Sequence, residues 1–580
     1  MTAFVRHPRL RSGKVEARAY QLLALDEAMS GSMLLVLPTA AGKTAVAWMA
    51  IAERLERKGG WALVIAPTVA LANQHMESAI PILSGEDLNP ITLSGQQAAS
   101  KRASLWSSSR LVFATSQVVR NDVKSGSLAL DKCSLLVVDE AHHCTGGHAM
   151  AEAAELYIDQ CDHPLILATT ASPGSRREQV QEVCKRLGIN RIHLRTPDDP
   201  MMSEHLSEME ITEIKVEVPS EIRDLAEPFR IWQEGIVDSE RRLGRYVMPG
   251  VISHNGLANA MQRSQTAIDN GDPSGYRSSS RIATAMRLHH LINHLLCQGI
   301  SATRQFLTRM EAEEGKSRSA SDFLRDPRVS NLVKTMSQME EIHSKVGAVR
   351  RLVKERVRLD PKCRVIVFAN YRDTVESLEG AIQGLEGAKP ICFVGQSNRG
   401  SSVGLTPKQQ IGRLDVFRTG KGNVLVATSV GEEGVDIPSA DLVIFYEPVS
   451  SEIRTIQRRG RTGRTRGGEV VVLIAEGTRD EGAKEAARRK EEFMHKTVRR
   501  VARGLARGPH KDLSNLSRFE IDSDDGAISA AGFVSDARER HRRDFPRSDS
   551  TPLKGEEGAS PEAVPPENFR PAGQTGLDQF

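Results

Sequence analysis

The sequence predicts a mixed α/β protein with two parallel-sheet domains and a helical segment between them. Short apolar runs, each closed by a polar residue, proline or glycine, alternate with helix-like stretches from Met33 to Thr170 and again after Lys362. Such runs are typical of buried strands in a parallel sheet with crossover helices. Between these regions, apolar residues recur at intervals of three and four, which indicates a helical insertion.

Composition changes along the chain define the predicted parts. After about Ala506 the aliphatic and aromatic content falls, and Ser, Pro, Gly, Asp and Arg dominate. Such a segment offers too little apolar surface to offset its ordering entropy, so we expect a disordered C-terminal tail. In chain order, the predicted parts are a first α/β domain (1–219), the helical insertion (220–344), a second α/β domain (345–480), a basic helix (481–508), the disordered tail (509–573) and a short motif (574–580).

Overall composition excludes several classes of protein. The 78 Lys and Arg residues nearly balance the 74 Asp and Glu residues, so any basic surface must be local. The seven cysteines form no C-x-x-C pair, which is typical of a reducing compartment. The sequence shows no signal peptide and no apolar run near the roughly 18 residues that a membrane span needs. We therefore expect a cytoplasmic protein without a membrane partner.

The stretch "LLVLPTAAGKT" resembles a phosphate-binding loop between a strand and a helix. A helix that follows a strand and a turn directs backbone N–H groups and its positive end toward phosphates. Lys43 is expected to reach the β- and γ-phosphates of ATP, and the Thr44 hydroxyl to bind Mg²⁺. An ordinary strand–helix turn is the alternative interpretation. The predicted nucleotide-binding residues of the loop are Pro38, Thr39, Ala40, Ala41, Gly42, Lys43 and Thr44.

Two carboxylates close the buried strand of "LLVVDEAHH". Asp139 is predicted to bind the Mg²⁺, and Glu140 to orient and deprotonate the attacking water. A solvated acidic turn is the alternative for this motif alone. Together with the loop, the motif indicates ATP hydrolysis.

The second α/β region contributes the arginine-rich stretch "IQRRGRTGR". Phosphoryl transfer needs positive charge on the developing γ-phosphate, and an arginine from another domain makes hydrolysis depend on domain closure. Arg461 and Arg464 are the predicted catalytic arginines. A basic helix that binds nucleic acid is the alternative.

These three motifs identify the chain as similar to the superfamily 2 helicases. The resemblance implies two RecA-like domains and extends to further motifs: Gln21 in "ARAYQ" would read adenine, and "TTASPG" would couple the sites. Loops of this family commonly read P-T-G-x-G-K-T, so Ala40 departs from the pattern and puts the catalytic rate in doubt. The residues that the resemblance assigns are Thr68, Thr115, Ser116 and Thr428 for nucleic acid, and Asp436 for the nucleotide.

From about Val15 to Ile474 the sequence looks like the archaeal Hef helicases and their Fanconi-anaemia-M relatives, insertion included. That resemblance implies an ATP-dependent DNA translocase that acts on forked or branched DNA in replication-fork repair and restart, with a nucleoid-associated location. Many Hef proteins carry a nuclease signature, E-R-K-x-x-x-D, which this sequence lacks, so no nuclease domain is expected.

Two rival functions stay open at this stage. The same superfamily branch contains RNA-sensing helicases, and the contacts that discriminate RNA are invisible in a sequence. A clamp that binds ATP without turnover would also fit Ala40. Within the insertion, Arg277, Arg281, Arg287 and Arg304 are candidates for phosphate contacts or for a merely solvated face.

Three further features carry weaker predictions. The stretch "QTGLDQF" resembles the interaction motif of the sliding clamp (PCNA), with Gln574, Leu577 and Phe580 as its contacts; a stray terminal aromatic is the alternative. "HHCTGGH" fits no standard zinc spacing, so no structural zinc is expected. The basic helix either packs on the second domain or follows the DNA backbone.

Overall fold

The structure is a computed structural model that describes residues 3–38, 41–196, 199–203, 210–312, 318–395, 404–428, 440–448, 469–505, 512–523 and 526–544. The chain divides into two units, Met1–Ala537 and Arg538–Phe580. The first unit holds both α/β domains and the insertion. Of the helices in these described ranges, none is both long and apolar enough to cross a membrane.

Apolar runs of the first α/β region form a parallel sheet, as predicted. Within the described residues the sheet has seven strands in the order β4-β5-β3-β6-β7-β2-β8. The short apolar runs that predicted strands between Met33 and Thr170 correspond to β2, β3, β5, β6 and β7, whereas β4 and β8 were not predicted. In chain order the strands are β2 (Met33–Val36), β3 (Trp61–Ala66), β4 (Ile91–Leu93), β5 (Leu111–Thr115), β6 (Cys133–Asp139), β7 (Ile166–Thr170) and β8 (Arg191–Leu194).

Helices cover both faces of this sheet and bury its almost wholly apolar strands. The connections are short, so each strand end lies close to the start of the next helix. The helices are α1 (Ala19–Met29), α2 (Lys43–Lys58), α3 (Val69–Ala79), α4 (Ala99–Trp106), α5 (Ser116–Lys124), α6 (Ala149–Gln160), α7 (Arg177–Arg186) and α8 (Pro200–Ser203).

The second sheet is also parallel, and its order is β11-β12-β10-β13-β14-β9 within the described residues. Its strands are β9 (Glu210–Val216), β10 (Val365–Ala369), β11 (Pro390–Phe393), β12 (Val424–Thr428), β13 (Leu442–Phe445) and β14 (Glu469–Ala475). The helices that pack on it are α15 (Ser344–Leu359), α16 (Arg372–Gln383) and α17 (Pro407–Arg418).

Strand β9 corrects the predicted boundary at residue 219. It precedes the insertion in sequence but pairs with β14 along its whole length, from Glu210 beside Glu469 to Val216 beside Ala475. The sequence "EITEIKV" is half polar because β9 lies at the edge of the sheet, so no buried apolar run indicated a strand there. The chain therefore enters the second domain before the insertion begins.

The insertion is helical, as predicted. Its core is built by helices that pack on the long α11, and β-strands do not occur among its described residues. Its helices are α9 (Ser220–Arg242), α10 (His254–Asp269), α11 (Ser274–Cys297), α12 (Ile300–Ala312), α13 (Arg318–Leu324) and α14 (Pro327–Ser337).

One end of the insertion is fixed to the second domain by buried hydrogen bonds. Lys345 of α15 donates to Cys297 O (3.1 Å) and forms an ion pair with Asp480 (2.8 Å), and both side chains are almost wholly buried. Tyr446, just after β13, donates its hydroxyl to Gln298 O at 2.9 Å. Thr374 of α16 donates to Gln298 Oε1 at 2.8 Å. The end of α11 is therefore part of the core of the second domain.

The predicted basic helix is α18 (Arg479–Arg503), and its packing differs from the prediction. It begins at the second sheet, but Met494, Val498 and Val501 are buried in the apolar cluster of the first domain. Helix α18 therefore does not pack on the second domain alone, and it is not simply a solvent-exposed helix. The helix connects the two α/β domains, because its apolar positions fit the groove beside α7 and β8.

The disordered tail was predicted to begin at residue 509, and this boundary is too early. Residues 512–523 and 526–544 form two strands, β15 (Glu520–Ser523) and β16 (Gly526–Ser529), and a helix, α19 (Ala530–Asp544). With β1 (Phe4–Arg6) the strands make an antiparallel sheet in the order β1-β15-β16. The apolar residues of this segment that join the core of the first domain are Leu513, Leu516, Phe519, Ile521, Ala530 and Val534.

Specific contacts hold this segment against α1 and α2. Asn515 donates its backbone N–H to Asp26 Oδ1 (3.2 Å) and its side-chain amide to Asp26 O (3.0 Å). Phe519 stacks on His7 with ring centroids 4.4 Å apart. The few apolar residues of the segment suffice because the first domain supplies the other half of the interface, which composition alone could not indicate.

Candidate active site

The phosphate-binding loop lies between β2 and α2, and Gly42 is its turning point. Gly42 has φ 79° and ψ 37°, which is the left-handed region that glycine enters without cost. A Cβ atom on Gly42 would also lie 2.2 Å from Gln21 Nε2. Both the backbone conformation and the close approach of Gln21 therefore require glycine at this position.

The start of α1 fixes the loop from the other side. Tyr20 donates its hydroxyl to Ala41 O at 2.9 Å, and Gln21 donates Nε2 to the same oxygen at 3.0 Å. Both side chains are buried. Gln21, predicted from resemblance to read adenine, thus contacts the phosphate-binding loop directly. Tyr20 was not identified from the sequence, where only its place beside Gln21 pointed to it.

Lys43 and Thr44 form the first turn of α2. In this structure the Lys43 ammonium donates to Leu37 O (3.0 Å) and Pro38 O (3.4 Å), across the loop. No side chain from the described residues caps the N-terminus of α2. The positive end of a four-turn helix and an ammonium group therefore face the same space, which suits an anion. Thr39 and Ala40 lie outside the described residues.

Asp139 ends β6 beside the loop, and two neighbours hold its carboxylate. His75 of α3 donates Nε2 to Oδ2 at 2.8 Å, and Thr169 of β7 donates its hydroxyl to Oδ1 at 2.6 Å. Burial alone would raise the pKa of Asp139. The hydrogen bonds from His75 and Thr169, together with the nearby positive charge of Lys43, have the larger effect and lower it. The net pKa is below that of an ordinary aspartate, so Asp139 is an anion at neutral pH.

Glu140 follows in an uncommon backbone conformation for a residue with a side chain, with φ 52° and ψ 49°. The turn places the Glu140 carboxylate 3.3 Å from His142 Nδ1. His142 Nδ1 also lies 3.3 Å from the Thr170 hydroxyl oxygen, which accepts a further hydrogen bond from Ser172 N at 3.1 Å. Strained conformations of this kind concentrate at functional sites because the surroundings must hold them in place.

The "TTASPG" stretch joins both carboxylates to the rest of the molecule. Thr169 contacts Asp139 and Thr170 contacts His142, from consecutive positions at the end of β7. Two residues later, the Ser172 hydroxyl donates to Met494 Sδ of α18 at 2.8 Å. A helix that begins at the second sheet therefore contacts the segment that positions the carboxylates. This contact was not predicted, because no local pattern relates Met494 to Ser172.

The residues predicted to contact nucleic acid differ in exposure. Thr68 is exposed at the N-terminus of α3 and accepts from Leu71 N at 3.3 Å. Thr115 and Ser116 are buried. Their predicted contacts with nucleic acid would therefore be made by main-chain N–H groups in the first turn of α5, and not by their side chains. Thr428 ends β12, and its buried hydroxyl has no hydrogen-bond partner among the described residues.

Several predicted site residues lie outside the described residues: Asp436, Arg461, Arg464, Gln574, Leu577 and Phe580. Their predicted roles stay predictions. Among the residues that the structure does describe, no group of three or more His, Cys, Asp and Glu side chains is arranged to hold a metal ion. The histidine rings of "HHCTGGH" contact one another: His142 and His143 lie 4.2 Å apart with tilted rings, and His143 stacks on His148 at 5.5 Å.

Comparison with known proteins gives family models for successive parts of the chain. A DEAD/DEAH box helicase model matches residues 18–224, and a helicase conserved C-terminal domain matches residues 344–466. Residues 252–343 match a model described as the helical bundle of an ATP-dependent RNA helicase.

Individual relatives are also named as helicases. A Methanocaldococcus jannaschii protein named as an ATP-dependent RNA helicase is 35% identical over 503 residues, 86% of this chain and 63% of the relative. The ATP-dependent DNA helicase MPH1 of Coccidioides immitis is 30% identical over 531 residues, 86% of this chain and 47% of the relative. The chain thus spans less than two thirds of the length of either protein.

A solved structure matches over most of the chain. The Pyrococcus furiosus Hef helicase domain is 33% identical, with a TM-score of 0.62, and the match covers 81% of this chain and 98% of that one. The chain belongs to the Hef branch of the superfamily 2 helicases. The predicted family and the two RecA-like domains are thereby confirmed. In this helicase, Gln21, Lys43, Asp139 and Glu140, which are predicted to bind or hydrolyse the nucleotide, lie on the first of these domains.

The observed site fits a Mg²⁺–nucleotide. A carboxylate with a lowered pKa lies beside an ammonium group and an uncapped helix N-terminus, which are the groups that a metal-bound polyphosphate requires. The sequence motifs predicted these residues but not His75, and the only signal for His75 was its position seven residues after Thr68.

Proposed function

We propose that this helicase is an ATP-dependent DNA translocase that acts on forked or branched DNA. The observation that carries the proposal is the meeting of Lys43, Asp139 and Glu140 at one edge of the first sheet, in a chain that matches nearly all of the Hef helicase domain. A protein that only binds DNA has no need for a hydrolytic carboxylate beside a phosphate-binding loop.

The proposed chemistry divides among the chain's own residues. The N-terminus of α2 and Lys43 bind the phosphates, Thr44 and Asp139 hold Mg²⁺, and Glu140 takes a proton from the attacking water. When bound, Mg²⁺ would neutralise negative charge on the phosphates. His75 and Thr169 keep Asp139 ionised and oriented, and His142 restrains Glu140.

The insertion is the proposed source of the preference for branches. Of the four candidate arginines, Arg277 and Arg281 are exposed on α11, while Arg287 and Arg304 are half-buried. Arg304 donates to Met336 O at 3.4 Å, so it also stabilises the helical bundle. Phosphate contacts by Arg277 and Arg281 would position a branch without reading its sequence. Because α11 is fixed to the second domain, such contacts would move with that domain.

RNA is the second candidate substrate, since one relative and the matched helical bundle are both named for RNA helicases. The experiment is competition for the full-length protein between a forked DNA and a double-stranded RNA of equal length at one stated salt concentration. We expect forked DNA to bind at least about tenfold more tightly and to stimulate more phosphate release; this margin is well below the roughly 10³- to 10⁷-fold by which specific binding exceeds non-specific binding. Tighter binding and stronger stimulation by RNA would reverse the assignment.

Delivery to replication forks through a sliding clamp remains a proposal from residues 574–580. A clamp-binding motif tethered to the helicase raises the local concentration of the motor at a clamp on DNA. We expect a peptide of the last twenty residues to bind the host's clamp, and the Leu577→Ala, Phe580→Ala peptide to bind at least about tenfold more weakly because both apolar anchors are lost. Indistinguishable titrations of the two peptides would remove the clamp as a partner.

A further inference from the structure

The loop between α9 and α10 displays apolar side chains to solvent. We define residues 243–252 as the tip loop. Leu243 is 54% exposed, Val247 51%, Met248 40% and Val251 91%. Four exposed large apolar side chains within nine residues are unusual for a soluble surface and are typical of an interaction site.

The tip loop is nonetheless firmly anchored. Tyr246 is buried in its middle, and its hydroxyl accepts from Ser253 N at 3.3 Å. A Cβ on Gly256 would lie 2.5 Å from the same hydroxyl, so α10 packs closely on the Tyr246 ring. At the other side, Arg241 donates to Gly250 O at 3.2 Å. The neighbouring apolar side chains therefore point outward from a held backbone.

Arginines lie in and beside the tip loop. They are Arg241, Arg242, Arg245 and Arg263, the last with its backbone 3.4 Å from the Arg245 side chain. Two of these arginines form ion pairs at the base of the loop, Arg241 with Asp238 at 2.9 Å and Arg245 with Asp272 at 2.6 Å. Arg242 and Arg263 are exposed and have no ion-pair partner among the described residues. This charge favours a polyanionic partner over a protein surface of ordinary composition.

The tip loop is far from the end of the insertion that is fixed to the second domain. Helix α9 has 23 residues, which corresponds to a length of about 34 Å. It runs antiparallel to α11, because Arg245 after α9 pairs with Asp272 before α11, and Gln233 contacts Ala285 midway. The fixed end of α11 is the opposite one, at Cys297 and Gln298.

We infer that the tip loop is a wedge that inserts apolar side chains into the base stack at the branch point of a forked DNA. This inference rests on the proposed function and names the feature of the substrate that the insertion contacts. Proteins that open base steps insert apolar side chains such as Leu, Ile and Met between bases and also contact the groove through Arg and Lys. A branch point is the favoured site because its stack is already interrupted, whereas a continuous duplex must be opened first.

The test uses the full-length protein with Val247→Ser, Met248→Ser and Val251→Ser combined. A 2-aminopurine base at the branch point of a forked DNA reports unstacking by a rise in fluorescence on binding without nucleotide. We expect a severalfold rise with the natural protein, and a loss of most of that rise with the triple variant. Because these side chains are exposed, the variant should keep its thermal unfolding midpoint and its phosphate release on uniform duplex DNA.

The matched control is Leu359→Ser, since Leu359 is 69% exposed on α15 of the second domain. It should behave as the natural protein in every assay. Equal fluorescence rises for the natural protein and the triple variant would overturn the wedge, and would assign the apolar tip to a protein partner absent from the assay. A different result would contradict the proposed function: the natural protein would show neither binding to the fork nor DNA-stimulated phosphate release.

Discussion

Glu140→Gln should reduce DNA-stimulated ATP hydrolysis by about 10²- to 10⁴-fold, the range by which a positioned general base accelerates a reaction. The amide keeps the shape of the side chain but cannot accept the proton of the attacking water. Nucleotide binding should persist, because Lys43 and Asp139 lie on other elements and the loop around Gly42 is unchanged. Phosphate release at saturating DNA and binding of a fluorescent ATP analogue measure the two effects separately.

Glu152→Gln is the control for this experiment. Glu152 is a half-buried carboxylate of the same domain, on α6, and within the described part of the chain it forms ion pairs with Lys124 and Arg120. Its variant should hydrolyse ATP as the natural protein does. Equal, near-zero rates in the natural protein and in Glu140→Gln would instead favour a clamp that binds ATP without turnover.

Asp480→Ala should destabilise the second domain by about 3–5 kcal/mol, the cost of removing one partner from a buried ion pair. It would leave Lys345 charged and buried beneath the Tyr446 ring, whose centroid lies 4.5 Å from Nζ. The end of α11 should loosen with it, since Lys345 also donates to Cys297 O. The urea midpoint of the second domain and amide hydrogen exchange in α15 and the last turn of α11 measure this loss.

Two further variants serve as comparisons for Asp480→Ala. Glu227→Ala removes one partner of Arg230 on the exposed face of α9, where ion pairs contribute at most about 1 kcal/mol. Lys345→Met combined with Asp480→Leu removes both buried charges, and it should recover most of the stability because no unpaired charge remains. An Asp480→Ala protein as stable as Glu227→Ala would show that the pair does not fix the insertion.

Local pattern predicted the two parallel sheets except for β4, β8 and β9, and it supplied the proposed nucleotide-site residues. The apolar runs that became β2, β3, β5 and β6 are buried on both faces, so each run is continuous and visible in the sequence. Gly42, Lys43, Asp139 and Glu140 lie at strand ends because a parallel sheet collects its functional groups at that edge. Periodicity likewise showed that the insertion is helical.

Edge and connecting elements were not predictable in this way. Strand β9 is half polar, and only its pairing with β14 shows that it belongs to the second sheet. The apolar side of α18 was recognisable as a helix face, but its burial against the first domain depends on a groove that exists only in the folded chain. Tyr20 and His75 contact the site through side chains from other elements, and no spacing rule relates them to Ala41 or Asp139.

By itself, therefore, the sequence determined the α/β class, the helical insertion and the family, and it predicted the residues that would bind and hydrolyse ATP, because these depend on short-range periodicity and on motifs of fixed spacing. The tertiary structure decided which sheet β9 joins, where α18 packs, that residues 512–523 and 526–537 join the core of the first domain, and that apolar residues of the tip loop face solvent. Each of these depends on surface supplied by residues distant in the chain, and the free energy of burying that surface is absent from any local pattern.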